Sequence, residues 1–138
     1  MLKHRLIHPD IIEALAAAGH GSRVLIADAN FPASTKAGDN TMTVYLNLAP
    51  GQPLATDVLS ILLTAITVED AAVMDPGDDQ EPPIFQEFRS LLPHVEVTKL
   101  SRFEFYEEVE GPDTCLTIVT GEQRLYGNLL LTMGVVTG

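Results

Sequence analysis

Cysteine occurs once in the 138 residues, and a chain with a single thiol forms no intrachain disulfide. That residue, Cys115, sits in the apolar run Thr114 to Val119, the setting of a buried small hydrophobe more than of a nucleophile. Positive charge is also scarce: Lys and Arg number 8 against 19 Asp and Glu, a formal charge of −11. Such a surface repels phosphate backbones and anionic lipid, which argues against nucleic-acid and membrane-surface roles and otherwise serves solubility. No stretch reaches the ~18 apolar residues of a membrane span. The start, Met1-Leu2-Lys3-His4-Arg5, is basic, but Pro9, Asp10 and Glu13 follow it where a signal peptide would have its apolar core. The expectation is a soluble cytoplasmic protein.

Several motifs are missing as well. His4, His8 and His94 show no HxH or HExxH spacing and Cys115 has no neighbouring partner, so the sequence supports no metal site. There is no Gly-x-Ser-x-Gly elbow and no phosphate-binding loop, which leaves hydrolase and kinase readings without a foothold. No internal repeat or low-complexity tract is present. What remains is a chain that is 46% hydrophobic and of a length that fits one domain spanning residues 1–138 with one core.

Its organisation can be read from periodicity. Pro9 suits the first turn of a helix, Asp10 and Glu13 favour its positive end, and Ile11, Ile12, Leu15 and Ala16 supply an apolar face that Gly19 is expected to close. Arg23 to Ala27 reads as a short buried strand followed by Asp28. From Thr41 to Leu48, apolar and polar residues alternate with a strand period. Leu59, Leu62, Leu63 and Ile66 fall at helical spacing, predicting a helix from about Thr56 to Ile66. Asp70 to Met74 reads as a strand, Asp75 to Pro83 as a solvated loop and Ile84 to Leu92 as a helix. Glu96 to Leu100 is the next strand, and Ser101 is placed to cap a helix whose stripe is Arg102, Phe105, Tyr106 and Val109. Thr114 to Thr120 and Asn128 to Met133 complete the strands. The alternation of strands and helices predicts an α/β layered sheet covered by helices on its faces.

In such sheets polar groups at strand ends are natural site candidates. Gly19-His20-Gly21 flanks an imidazole with small residues that allow close approach of a ligand; it reads equally as a glycine pair capping a helix beside a solvent-facing His. A dinucleotide fingerprint is excluded by order, because that motif opens a helix after a strand and this turn does the reverse. Asp28 directly follows a buried strand, an arrangement that aims it at a ligand or at His20, or that caps the turn Asp28 to Pro32. Arg102 offers a fork of donors suited to hydroxyls or carboxylates, or to a surface ion pair. Tyr126-Gly127-Asn128 offers a phenol, a permissive backbone and an amide, or simply a turn before a strand.

Taken in order, Gly19-His20-Gly21, Ala27-Asp28-Ala29-Asn30-Phe31-Pro32, Arg102-Phe103-Glu104-Phe105-Tyr106-Glu107, Thr120-Gly121-Glu122 and Tyr126-Gly127-Asn128 resemble the ribose pyranase and fucose mutarotase (RbsD/FucU) family. The resemblance spans nearly the whole chain, and the Arg-Phe-x-Phe-Tyr-Glu piece is similar to the fucose branch. It implies a single-domain α/β/α sandwich and a cofactor-free sugar mutarotase, with L-fucose the first substrate. The catalytic His of the family falls on His20, and its sugar-binding positions fall on Asp28, Arg102, Tyr126, Gly127 and Asn128. It also implies a ring-shaped homo-oligomer, typically a decamer. Asn30 departs from the fucose branch, which often carries His there. An imidazole with an ordinary pKa of about 6.5 exchanges protons in either direction at neutral pH, as opening and reclosing a hemiacetal requires. A ribose pyranase, a non-catalytic monosaccharide-binding module and a purely structural assembly subunit are the rival readings.

Overall fold

In the computed structural model, which describes residues 1–138, the elements run α1 (Pro9–Ala17), β1 (Arg23–Ala27), β2 (Met42–Tyr45), α2 (Ala55–Leu62), β3 (Val68–Met74), α3 (Ile84–Leu91), β4 (Val97–Leu100), α4 (Arg102–Glu110), β5 (Thr114–Val119) and β6 (Leu129–Met133). The strands form one sheet in the order β2-β5-β1-β6-β3-β4. β1 and β2 lie parallel to β5, and β3 lies parallel to β4, while β6 runs antiparallel to both β1 and β3. The carboxyl ends of five strands therefore share one edge of the sheet with the amino end of β6. The opposite edge, here the amino edge, holds the starts of those five strands and the end of β6.

Alternation along the strands splits the core into two layers. Val24 and Ile26 of β1 pack with the apolar faces of α1, α2 and α3, whereas Leu25 and Ala27 pack on the other side against Phe31, Ala33 and the α4 residues Phe105 and Val109. Three helices thus cover one face and α4 with the 28–33 loop covers the other, which is the expected α/β/α sandwich. Phe85, Phe88 and Phe105 are fully buried, and each such side chain contributes roughly 1.5–3 kcal/mol relative to exposure. No helix is long and apolar enough to cross a membrane.

Several boundaries depart from the periodicity, among them the start of β3, which lies at Val68 and not at Asp70. α1 stops at Ala17, because Ala18 turns extended (φ −83°, ψ 164°) while its N–H still closes on Ala14 and Leu15. Gly19 lies beyond that end, and the left-handed residue of the turn is Gly21 at φ 84°. β2 ends at Tyr45: Leu46 still donates to Val119 O, but β5 ends there and the chain folds back through Leu48 and Gln52. α2 ends at Leu62, with Thr64 and Ala65 donating to carbonyls three residues back, so the apolar spacing to Ile66 continues through a tightened turn.

Candidate active site

The carboxyl edge holds a buried polar cluster built around Asp28, which is 4% exposed at the end of β1. Asn128, at the start of the neighbouring β6, meets it in a reciprocal pair: Asn128 Nδ2 donates to Asp28 Oδ2 (3.1 Å) and the Asp28 N–H donates to Asn128 Oδ1 (2.8 Å). The Asn30 N–H donates to Asp28 Oδ1 at 3.0 Å. The Asp28 carboxyl is pushed above its ordinary value by burial, against the opposing pull of the Asn30, Phe31 and Gly127 backbone and the Asn128 amide. A buried carboxyl so oriented accepts hydrogen bonds at both oxygens when ionised; on gaining a proton it becomes a donor at one oxygen and keeps only part of its acceptor capacity.

Beneath this cluster lies a carboxylate that the motifs contain but whose role they do not disclose. Glu122, 1% exposed, accepts from the Ala55 N–H at the start of α2 (3.2 Å), from the Arg124 N–H (3.1 Å) and from Arg124 Nε and Nη2 (2.9 Å each). Burial pushes this carboxyl up; the Arg124 guanidinium and the two backbone donors more than offset it and hold it below the ordinary range. Its own carbonyl accepts from Ala29 N–H, which ties the Asp28 loop to the segment after β5. Thr120 completes the brace by donating to Ala27 O at 2.8 Å and accepting from Glu122 N–H at 3.2 Å.

Residues 126–128 rest on this brace. Tyr126 has φ 61°, a left-handed conformation that costs a bulky residue about 1–3 kcal/mol and persists only where its surroundings impose it. At Gly127 a Cβ would meet Glu122 Cγ at 2.8 Å and Arg124 O at 3.0 Å, so glycine is demanded by packing against the carboxylate below. The result is a fixed presentation of the Tyr126 ring and the Asn128 amide.

Arg102, the first residue of α4, is exposed and takes part in no ion pair. Ser101 caps the helix by accepting from Glu104 N–H at 3.3 Å, and Phe31 packs on Phe105 and Tyr106 with ring centroids 6.5 and 5.8 Å apart. These aromatic contacts hold α4 against the loop that carries Asp28. Asn30 and Ala29 line a cleft of about 350 Å³ with Asn47, Ala49, Pro50, Gly121 and Gln123. Five of the six residues singled out in the sequence, Asp28, Arg102, Tyr126, Gly127 and Asn128, therefore share the carboxyl edge.

His20 does not join them. It occupies the turn before β1, with Asp28 after it, so the strand and its flanks set the two roughly 20 Å apart at ~3.3 Å per residue. The arrangement that would aim Asp28 at the imidazole is thus absent within one chain, because a strand carries its two ends to opposite edges. His20 is exposed, and its Nε2 lies 2.9 Å from each carboxylate oxygen of Glu69, at the start of β3. The largest concavity, about 840 Å³, opens at this amino edge beside the turn, between the N-terminal segment, α1, Thr64 to Thr67 and Met133 to Val136. No three His, Cys, Asp or Glu side chains converge as a metal site would require.

A mixed sheet with a buried Asp–Asn pair at its carboxyl edge and a histidine turn at the other defines a class that comparison with known proteins identifies. Residues 1–136 match the RbsD / FucU transport protein family, and the chain belongs to it. More particularly, it is 36% identical to the fucose mutarotase of Homo sapiens over 141 aligned positions, covering 95% of this chain and 90% of the human protein. Its fold matches Bacillus subtilis RbsD complexed with D-ribose at a TM-score of 0.87 and 28% identity, covering 99% of this chain and 100% of that one. It matches the Streptococcus pneumoniae fucose mutarotase in complex with L-fucose at a TM-score of 0.83 and 28% identity, with the same coverages of 99% and 100%.

Proposed function

We propose that this chain is a sugar mutarotase that interconverts the anomers of a monosaccharide, with L-fucose the first substrate. The reaction removes a proton from the anomeric hydroxyl, delivers one to the ring oxygen, and recloses the freed aldehyde on its other face. No carbon changes oxidation state, so no redox cofactor is called for. In this reading Asp28, Arg102, Tyr126, Gly127 and Asn128 bind the sugar and His20 moves the proton to or from the ring oxygen. The observation that carries it is the reciprocal Asp28–Asn128 pair: two buried polar residues held in register at strand ends, on the same edge as an Arg102 that makes no ion pair, suit several hydroxyls at once.

Since His20 and Asp28 lie at opposite edges, one sugar touches both only when a second copy brings its amino edge to the carboxyl edge of the first. Each edge has apolar side chains for such a contact. Leu48, Phe103 and Leu125 are exposed towards the carboxyl edge, and Leu2, Val135 and Val136 are exposed towards the amino edge. Joining unlike surfaces is a heterologous contact, which closes into a ring when the rotation per subunit allows it. A ring-based homo-oligomer, a decamer in the pattern of the family, is therefore part of the proposal, and the cytoplasm is its proposed compartment.

Two-dimensional exchange NMR on the anomeric protons of L-fucose, D-ribose and a small panel of sugars, with and without protein, tests this. Faster exchange of L-fucose supports the mutarotase. Acceleration confined to ribose favours a ribose pyranase, the second reading, which Asn30 on the cleft supports. Binding without acceleration for any sugar leaves a monosaccharide-binding module, and no binding leaves an assembly subunit.

A further inference from the structure

Proton transfer at His20 requires one defined imidazole nitrogen facing the sugar and a ring that is held still. An exposed histidine on a glycine-flanked turn has several rotamers and two tautomers. The backbone around His20 is nonetheless fixed. Gly21 N–H donates to Met133 O at 3.0 Å, Met133 N–H donates to Ser22 O at 2.9 Å, and Gly134 N–H donates to Thr67 O at 2.8 Å. These bonds tie the His20 turn to the end of β6, and the end of β6 to the start of β3. Glu69 thereby stands two strands from His20 on one continuous piece of sheet.

The residue between them has no side chain. A Cβ on Gly134 would meet Thr67 Cγ2 at 3.2 Å and Glu69 Cβ at 3.3 Å, so a larger residue there would press on the glutamate. Across that gap His20 Nε2 lies 2.9 Å from both Glu69 carboxylate oxygens. A carboxylate at this distance accepts the Nε2 proton whether the ring is neutral or charged, because an ionised carboxyl donates nothing. No other ionisable side chain is hydrogen-bonded or ion-paired to His20: the β6 end presents Thr132, Met133 and Gly134, and the turn itself presents Gly19, Gly21 and Ser22.

We propose that Glu69 is a positioning residue that holds His20 through Nε2, so that Nδ1 is the atom that exchanges a proton with the ring oxygen of the sugar. This inference rests on the mutarotase reading. As the ring opens, Nδ1 of the charged imidazole donates its proton to the ring oxygen while the anomeric hydroxyl gives its own to water; as the new anomer closes, Nδ1 takes the proton back and water returns one to the anomeric oxygen, while the Nε2 proton stays on Nε2, hydrogen-bonded to Glu69 throughout. The carboxylate fixes the plane of the ring and the tautomer without touching the substrate, as the orienting partner of a general base does elsewhere.

Exchange NMR on wild type, His20→Ala, Glu69→Ala and Glu69→Gln, joined to 15N spectra of the imidazole, tests it. In Glu69→Ala the maximal exchange rate falls about fivefold, the scale set by an exposed ion pair, with the half-saturating sugar concentration unchanged; Glu69→Gln, which keeps an acceptor, recovers part of it. Adding L-fucose moves the His20 Nδ1 resonance of wild type and leaves Nε2 in place. If wild type accelerates exchange and His20→Ala abolishes it, yet Glu69→Ala matches wild type or the sugar moves Nε2 instead, the inference fails and the mutarotase reading stands. If wild type accelerates nothing, both fail.

Discussion

The two edges of the sheet are built in opposite ways. At the carboxyl edge, Asp28, Thr120, Glu122 and Asn128 are all buried and each is hydrogen-bonded. The segment 126–128 sits there in a conformation that its surroundings dictate. At the amino edge, His20 and Glu69 are exposed and meet only each other. Holding hydroxyls in register demands polar groups fixed before the ligand arrives, and burial with complete hydrogen bonding supplies that. Moving a proton demands an imidazole that substrate and solvent can reach, and an exposed turn provides one. In the proposed mutarotase the sheet separates the two tasks by the length of a strand, and the proposed association reunites them.

Substitutions at the two edges should therefore fail differently. The largest effect falls on activity alone: His20→Ala loses about 10²–10⁴ of the rate enhancement, the contribution of a positioned acid/base group, while sugar affinity by calorimetry and the thermal midpoint stay near wild type. A large drop in midpoint would mean that His20 is a structural residue and would dissolve the contrast.

Asp28→Asn is next. Losing a charge-assisted acceptor costs roughly 1.5–3 kcal/mol, so L-fucose affinity should fall on the order of tenfold to a hundredfold. Unchanged binding would reduce Asp28 to a turn residue. The pH dependence sharpens the point. Burial raises the Asp28 carboxyl above 3.8, so wild-type affinity weakens as pH falls through a midpoint above that value, and Asp28→Asn shows no such limb. Stability runs the other way at this residue: the folded chain holds the Asp28 proton to a higher pH than the unfolded chain, so falling pH through that window favours folding. Glu122 has the opposite sign, because its folded value lies below 4.5. Its contribution is fully present above 4.5 and is lost as pH falls through the folded value, and denaturant titrations of Glu122→Gln against wild type read that loss directly.

Gly127→Ala should act on stability and binding together. A Cβ 2.8 Å from Glu122 Cγ overpacks the brace at about 1–3 kcal/mol, lowering the thermal midpoint by several degrees. The smallest effect is at Ser101→Ala, which removes the cap of α4 at about 1 kcal/mol and lowers denaturant stability by that amount, with only a slight change in affinity through Arg102.

Much of this is legible in the residues themselves. The apolar runs at Arg23 to Ala27, Thr114 to Val119 and Leu129 to Met133 form strands because nothing but a sheet interior suits them, and the Arg102 stripe buries Phe105 and Val109 while leaving Arg102 outside. The alternation through Leu46 and Leu48 misleads about strand length, since pairing stops where β5 stops and no local pattern records the end of a partner. The separation of His20 from Asp28 was also available: one residue precedes a strand and the other follows it, so chain order alone puts them at opposite edges. Glu122 and Glu69 are different. Glu122 has a local partner in Arg124, two residues on, but its contact with Ala55 spans 67 residues and that of Glu69 with His20 spans 49, and no spacing in the chain announces a contact that only the folded sheet creates.

The most direct test of the account is to mix its two halves. His20→Ala and Asp28→Asn proteins are co-expressed, purified as joint assemblies, and assayed for L-fucose anomer exchange against each variant alone. If His20 of one copy serves the Asp28 edge of the next, random mixing restores intact pairings at on the order of a quarter of the interfaces, and exchange rises well above either variant. Mixed assemblies no faster than the average of the two variants would contradict a site shared between copies.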